Sequence, residues 1–166
     1  MKVVAFALAV LALGAGAPPG GKTFRANGIA VRYPEGWFAS ARALTPVTSP
    51  EQILAVASYP LPLSDSGADG CEPAAALARM PATGAFIFGW EYGSVSTVGI
   101  RARDFPRRPR HFTLPIATTT ECMGLSSMIR FRDAGRAFQI QVAFGKRAGL
   151  ATRAAVLRIL DSFSAQ

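Results

Sequence analysis

The chain has 166 residues, half of them apolar, with a formal charge of +8 and 17% charged side chains. This is one domain's length with enough apolar material for a real core, which excludes a disordered, purely solvated chain. Two cysteines and one histidine fall short of a four-ligand zinc site and lack its spacing, so no metal or other cofactor is expected.

At the N-terminus, Lys2 precedes Val3 to Leu13, eleven residues without a polar side chain, and then Gly14-Ala15-Gly16-Ala17. A positive end, an apolar run of this length and small residues behind it predict a secretory signal over residues 1–17, cut between Gly14 and Ala17. The run is too short to span a bilayer, which takes about 20 residues. A single mature domain over residues 18–166 follows, and loss of Lys2 takes its charge from +8 to +7.

The same region carries a formal P-loop match, Gly16 followed four residues later by Gly21-Lys22-Thr23. A nucleotide-binding phosphotransferase using Lys22 and Thr23 is therefore the enzymatic alternative. A P-loop needs a helix to begin at its Lys-Thr. Instead, Thr23 to Ala26 runs into Asn27-Gly28, a strong hairpin signal, and Ile29 to Tyr33 then alternates as a strand.

Further along, Trp37 to Ala43 and Ile53 to Tyr59 read as strands, and Pro60 to Gly70 as a surface loop. Pro73 to Met80 reads as a short helix with proline in its first turn. Ala85 to Tyr92 is a dense apolar strand whose Phe86, Phe88, Trp90 and Tyr92 are expected in the core. Val95 to Arg103 is expected to be another strand, Pro106 to Pro115 a proline-punctuated loop, and Thr118 to Met123 a β-branched strand. Ser126 to Arg132 and Arg136 to Phe144 flank Asp133-Ala134-Gly135, which fits a three-residue hairpin loop with a G1 bulge. In the second arm Phe138, Ile140, Val142 and Phe144 share one face, and Ala137, Gln139, Gln141 and Ala143 the other, which predicts a sheet with one buried face. From Thr152 to Phe163, Val156, Ile159, Leu160 and Phe163 recur at helical spacing, so a terminal helix should lie on the apolar face of the sheet.

Cys71 and Cys122 form an even pair in a chain expected to be exported, so a disulfide between them is the natural reading. It would close a loop of about 52 residues, worth about 4 kcal/mol by the chain-entropy argument. Catalytic chemistry finds little footing. His111 is the sole histidine, in a proline-rich loop beside Arg108 and Arg110, and Glu91 with Glu121 reads as two residues on a solvated face. The sharper candidate is an anion-binding patch of Arg101, Arg103, Arg107, Arg108 and Arg110, interleaved with Phe105, His111 and Phe112. Arginine forks suit oxyanions, so acidic cell-envelope polymers or lipid headgroups are the expected partners. Nucleic acid would use the same chemistry, but an exported protein rarely meets it. Against the patch, Asp104 interrupts it. The fifteen arginines beside three lysines and thirty alanines also look like the codon bias of a GC-rich genome.

The strand Ile29 to Tyr33 with the turn Tyr33-Pro34-Glu35-Gly36-Trp37 resembles the opening of PsbP-like and Mog1-like domains. The long hairpin followed by a helix ending Leu160-Asp161-Ser162-Phe163 resembles the close of the same fold. This resemblance covers about a third of the chain. It implies an α+β fold, an antiparallel sheet with helices packed on its faces as an α/β/α sandwich, and a non-enzymatic binding or accessory role. It supplies no functional residue that has a counterpart here. The cysteine pair and the arginine-rich loop depart from it.

Overall fold

The computed structural model describes residues 21–63, 70–93 and 100–166. The expected signal segment lies outside these residues, as do Gly16 and most of the strand expected from Val95.

The first strand β1 (Gly21–Ala26) turns back into β2 (Ile29–Pro34) through Asn27 and Gly28, whose φ values of 52° and 64° are those of a tight hairpin turn. Lys22 and Thr23 therefore lie in a strand, where a P-loop would start a helix, and the Lys22 ammonium sits 3.6 Å from Glu35. The turn after β2 closes with Trp37 N–H donating to the Pro34 carbonyl, and Gly36 takes the positive φ of 78° that its third position requires.

The central sheet has six antiparallel strands. β3 (Phe38–Ser40) forms one edge and β4 (Glu51–Ala57) pairs it, followed in sequence by helix α1 (Ala74–Ala78) and then strand β5 (Ala85–Tyr92). β6 (Thr118–Thr120), β7 (Gly124–Asp133) and β8 (Arg136–Phe144) complete it in the order β3-β4-β5-β8-β7-β6. Helix α2 (Leu150–Asp161) leads to β9 (Ser164–Ala165), which pairs with β2 and closes a small second sheet, β1-β2-β9. The fold is thus α+β and dominated by antiparallel sheet. The segment Ala102–Asp104, expected at the end of a strand, is a single 3-10 turn, closed by Asp104 N–H donating to the Arg101 carbonyl.

Both faces of the central sheet are buried, which corrects the expectation of one. On the first face, Ile29 and Val31 of β2 and Val156, Ile159 and Leu160 of α2, with Phe163, cover Ile87, Phe131, Phe138, Ile140 and Val142. On the second, Leu44, Tyr59, Ala76 and Met123 cover Phe86, Phe88, Trp90 and Ala143. The two glutamines of β8 made that second face look solvated. Both are buried: the Gln139 carbonyl oxygen accepts from Arg130 Nε at 2.8 Å, and Gln141 Nε2 donates to the Thr120 hydroxyl at 3.3 Å while its Oε1 has no partner among the described residues.

The hairpin between β7 and β8 is also tighter than expected. Asp133 pairs with Arg136, so the loop is the two residues Ala134 and Gly135, at φ 48° and 78°. An alanine in left-handed backbone costs about 1–2 kcal/mol. The bulged-loop reading asks for a positive φ only at Gly135, and here Ala134 takes one as well.

The second layer depends on the disulfide. Cys71 and Cys122 are bonded with their Cα atoms 4.9 Å apart, tying the start of α1 to the turn that follows β6. With five residues and no side-chain N-cap, α1 cannot persist by propensity alone. Besides the bridge, the Tyr59 hydroxyl donates to the Ala76 carbonyl at 2.8 Å, and burial pushes that phenol well above its ordinary pKa. Reduction, or paired Cys71→Ser and Cys122→Ser substitution, should lower stability by about 4 kcal/mol. Urea unfolding with and without reductant checks this, and an unchanged midpoint would refute the role given to the bridge.

On the first layer, Arg136 joins three segments. Its Nε and Nη2 form a bidentate pair with Glu91 of β5, while Nη1 and Nη2 donate to the Gly28 and Asn27 carbonyls of the β1–β2 turn. The Glu91 hydrogen bond holds the guanidinium above its ordinary pKa. A cation raised in this way contributes fully at every pH below arginine's usual value and loses that contribution only above it. Arg136→Met should destabilise by about 2–3 kcal/mol, below the figure for a deeply buried pair because both side chains are about a fifth exposed. A double-mutant cycle with Glu91→Gln, read by urea unfolding, should show a coupling above about 0.5 kcal/mol. Additive losses would show that the pair is incidental.

Candidate basic cleft

The five arginines singled out in the sequence separate into different roles. Pro106 to Phe112 runs beside the end of β7, where Arg107 and Arg132 form an isolated parallel bridge. Arg132 N–H donates to the Pro106 carbonyl at 2.7 Å, and Arg108 N–H donates to the Arg132 carbonyl at 2.9 Å. Neighbours in an extended segment point to opposite sides. Arg108 accordingly turns toward α2, where its Nη2 donates to the Asp161 carbonyl at 2.6 Å and its guanidinium lies 5.4 Å from the centre of the Phe112 ring.

Asp161 is the last residue of α2 and receives the loop three times. One carboxylate oxygen accepts Phe112 N–H at 2.7 Å, the other meets His111 Nδ1 at 3.2 Å, and its carbonyl takes Arg108. A cation and two donors thus meet the negative end of the helix dipole. The histidine, exposed in its loop, is part of this helix stop. Arg108 is therefore a structural residue, although its Nε is buried without a partner among the described residues.

Arg103, Arg107, Arg108 and Arg132 line a cleft of about 610 Å3 with Ala102, Asp133, Ala134 and Gly135. Arg101 and Arg110 lie outside that lining. Arg101 N–H is held by the Asp104 carboxylate at 2.8 Å, and Arg110 is exposed. Arg132 was missed by sequence reasoning. Alternation along β7 could have shown that Arg130 and Arg132 share a face opposite Phe131, but the pairing with Arg107 spans chain that no local pattern connects.

Glu91 and Glu121 do not form the solvated strand pair expected of them. Glu91 is half-buried against Arg136, and Glu121 lies in the turn after β6.

The division of labour among the arginines has a direct check. Arg108→Gln should cost about 1–2 kcal/mol, because it leaves the helix end and a half-buried site without a charged donor. Arg107→Gln and Arg110→Gln should each stay within about 0.5 kcal/mol. Thermal or urea unfolding of the three variants reads the difference, and an Arg108 variant as stable as the other two would remove its structural role. No protein-family model matches the chain, and no curated protein shows significant similarity to it.

Proposed function

We propose that this protein is an exported, non-enzymatic binding module of the cell envelope that holds an anionic partner in the basic cleft. The observation that carries the reading is the gathering of Arg103, Arg107 and Arg132 around one open cleft, with Arg108 at its wall bound to the end of α2. Export rests on the signal-like residues 1–17 and on the Cys71–Cys122 bond, which suits an oxidising compartment. Among the described residues no helix is long and apolar enough to cross a membrane. A binding role rather than catalysis is supported by His111, the sole histidine, whose ring among the described residues is hydrogen-bonded to Asp161 and to no serine, threonine or cysteine that could serve as a nucleophile.

A PsbP-like or Mog1-like α/β/α arrangement belongs to the same proposal. Its support is the Pro34–Trp37 turn joining β2 to β3, and the closing hairpin followed by α2 on the sheet.

Mature protein should bind acidic polymer such as polyglutamate, or vesicles containing anionic lipid, at low salt, and binding should weaken as salt rises. Combined Arg103→Ser, Arg107→Ser and Arg132→Ser substitution, which spares Arg108 at the helix end, should abolish it without unfolding the domain. Wild-type protein indifferent to every polyanion at low salt would refute the binding role. Intact Met1 on protein recovered from cytoplasm would refute export.

A further inference from the structure

We infer that Arg107 and Arg132 together form a subsite for a phosphate group, a reading that deepens the cleft's proposed anion-binding role. Residues bridged across a ladder project on the same side, and neighbouring strands lie about 4.8 Å apart. The bridge between Arg107 and Arg132 therefore sets two guanidinium-bearing side chains next to each other on one face. Like charges placed directly opposite one another destabilise a sheet. Two backbone hydrogen bonds nonetheless fix this register, from Arg132 N–H to Pro106 and from Arg108 N–H to Arg132.

No acidic group of the described residues neutralises the pair. Among the described residues neither arginine has a carboxylate within ion-pair distance. Asp133, although it lines the cleft, follows Arg132 along β7 and so faces the opposite side, where its carboxylate accepts Ala165 N–H at 3.0 Å. The Asp104 carboxylate is taken by Arg101 N–H. Meanwhile Arg132 is steadied without being consumed: Nη1 donates to the Arg103 carbonyl at 2.9 Å, and its Nε–Nη2 edge has no acceptor among the described residues. Arg107 makes no side-chain hydrogen bond among the described residues and is exposed at the cleft.

Two forks on one face select for the shape of the anion. A carboxylate presents two oxygens in one plane, which a single bidentate arginine satisfies. A phosphate group presents oxygens in several directions, so two adjacent guanidiniums can each engage a different pair. The chemistry is shared by a soluble phosphate polymer and by the headgroup of an anionic phospholipid.

Isothermal titration of the disulfide-intact mature protein with tripolyphosphate and with citrate, at matched ionic strength, tests the pair. Tripolyphosphate should bind at least fivefold more tightly. Arg107→Gln and Arg132→Gln should each weaken it about tenfold, with citrate binding little changed and unfolding midpoints at or slightly above wild type. Phosphatidylglycerol vesicles form a second arm. Arginine-dependent vesicle binding marks the lipid headgroup as the source, and tripolyphosphate binding without it marks a soluble phosphate. Equal affinity for tripolyphosphate and citrate, or variants that bind tripolyphosphate like wild type, would overturn the subsite while leaving the broader anion-binding reading intact. Wild-type protein that binds neither anion nor vesicle would overturn both.

Discussion

Arg136 stands where three stretches of chain that are remote in sequence must meet. It opens β8 at the centre of the main sheet, grips Glu91 on the neighbouring β5, and donates to the two carbonyls at the tip of the β1–β2 hairpin. Those carbonyls belong to a turn whose own ladder cannot satisfy them, so the guanidinium solves two problems at once. It joins Gln166 N–H on the Gly28 carbonyl, takes up the Asn27 carbonyl, and fixes the angle at which the small sheet lies across the large one. Gly28 must be glycine for the same reason, because a side chain there would run into the Arg136 guanidinium and its φ is positive. Once the hairpin is set, Ile29 and Val31 face the core and β9 finds its partner strand. The Ser162 hydroxyl can then accept Arg32 N–H, which seats the end of α2.

Much of this was legible before any coordinates. The Asn27-Gly28 turn, the full extent of β5, the pairing of β7 with β8, the terminal helix and the Cys71–Cys122 bond all follow from local chemistry that the fold does not override. What escaped notice depends on distant partners. Gln139 and Gln141 read as a solvated face because glutamine usually is, and the partners that lower the cost of burying them, Arg130 and Tyr92 for Gln139 and Thr120 for Gln141, arrive from other strands. Gly135 points to a three-residue loop, but the pairing of β7 with β8 runs on to Asp133 and Arg136 and outweighs the backbone penalty at Ala134.

The candidate site was half readable, and the missing half is instructive. A run of arginines in a proline-rich loop suggested one solvated patch. Extended backbone instead sends alternate residues in opposite directions, so Arg108 became a clamp on a helix end while Arg107 was left to the cleft. Charge density in a sequence says nothing about which of two faces a cation will occupy. Arg132 shows the complement: an unremarkable residue in a strand acquires a role only when a loop docks beside it.

The length distribution of the strands in the main sheet has its own consequence. The inner strands β4, β5, β8 and β7 run from seven to ten residues, while the two margins, β3 and β6, have three each. Each covers three residues of its neighbour, Ala55–Ala57 of β4 and Gly124–Ser126 of β7, and at the far end of β7 the Pro106–Arg108 segment takes over by bonding Arg132. The small sheet's free margin, β1, is longer but carries Lys22 and Arg25. Short caps, a docked loop and two cations on β1 thus divide the edges of both sheets into short stretches, which disfavours the long, flat pairing that strand addition by a second copy would need.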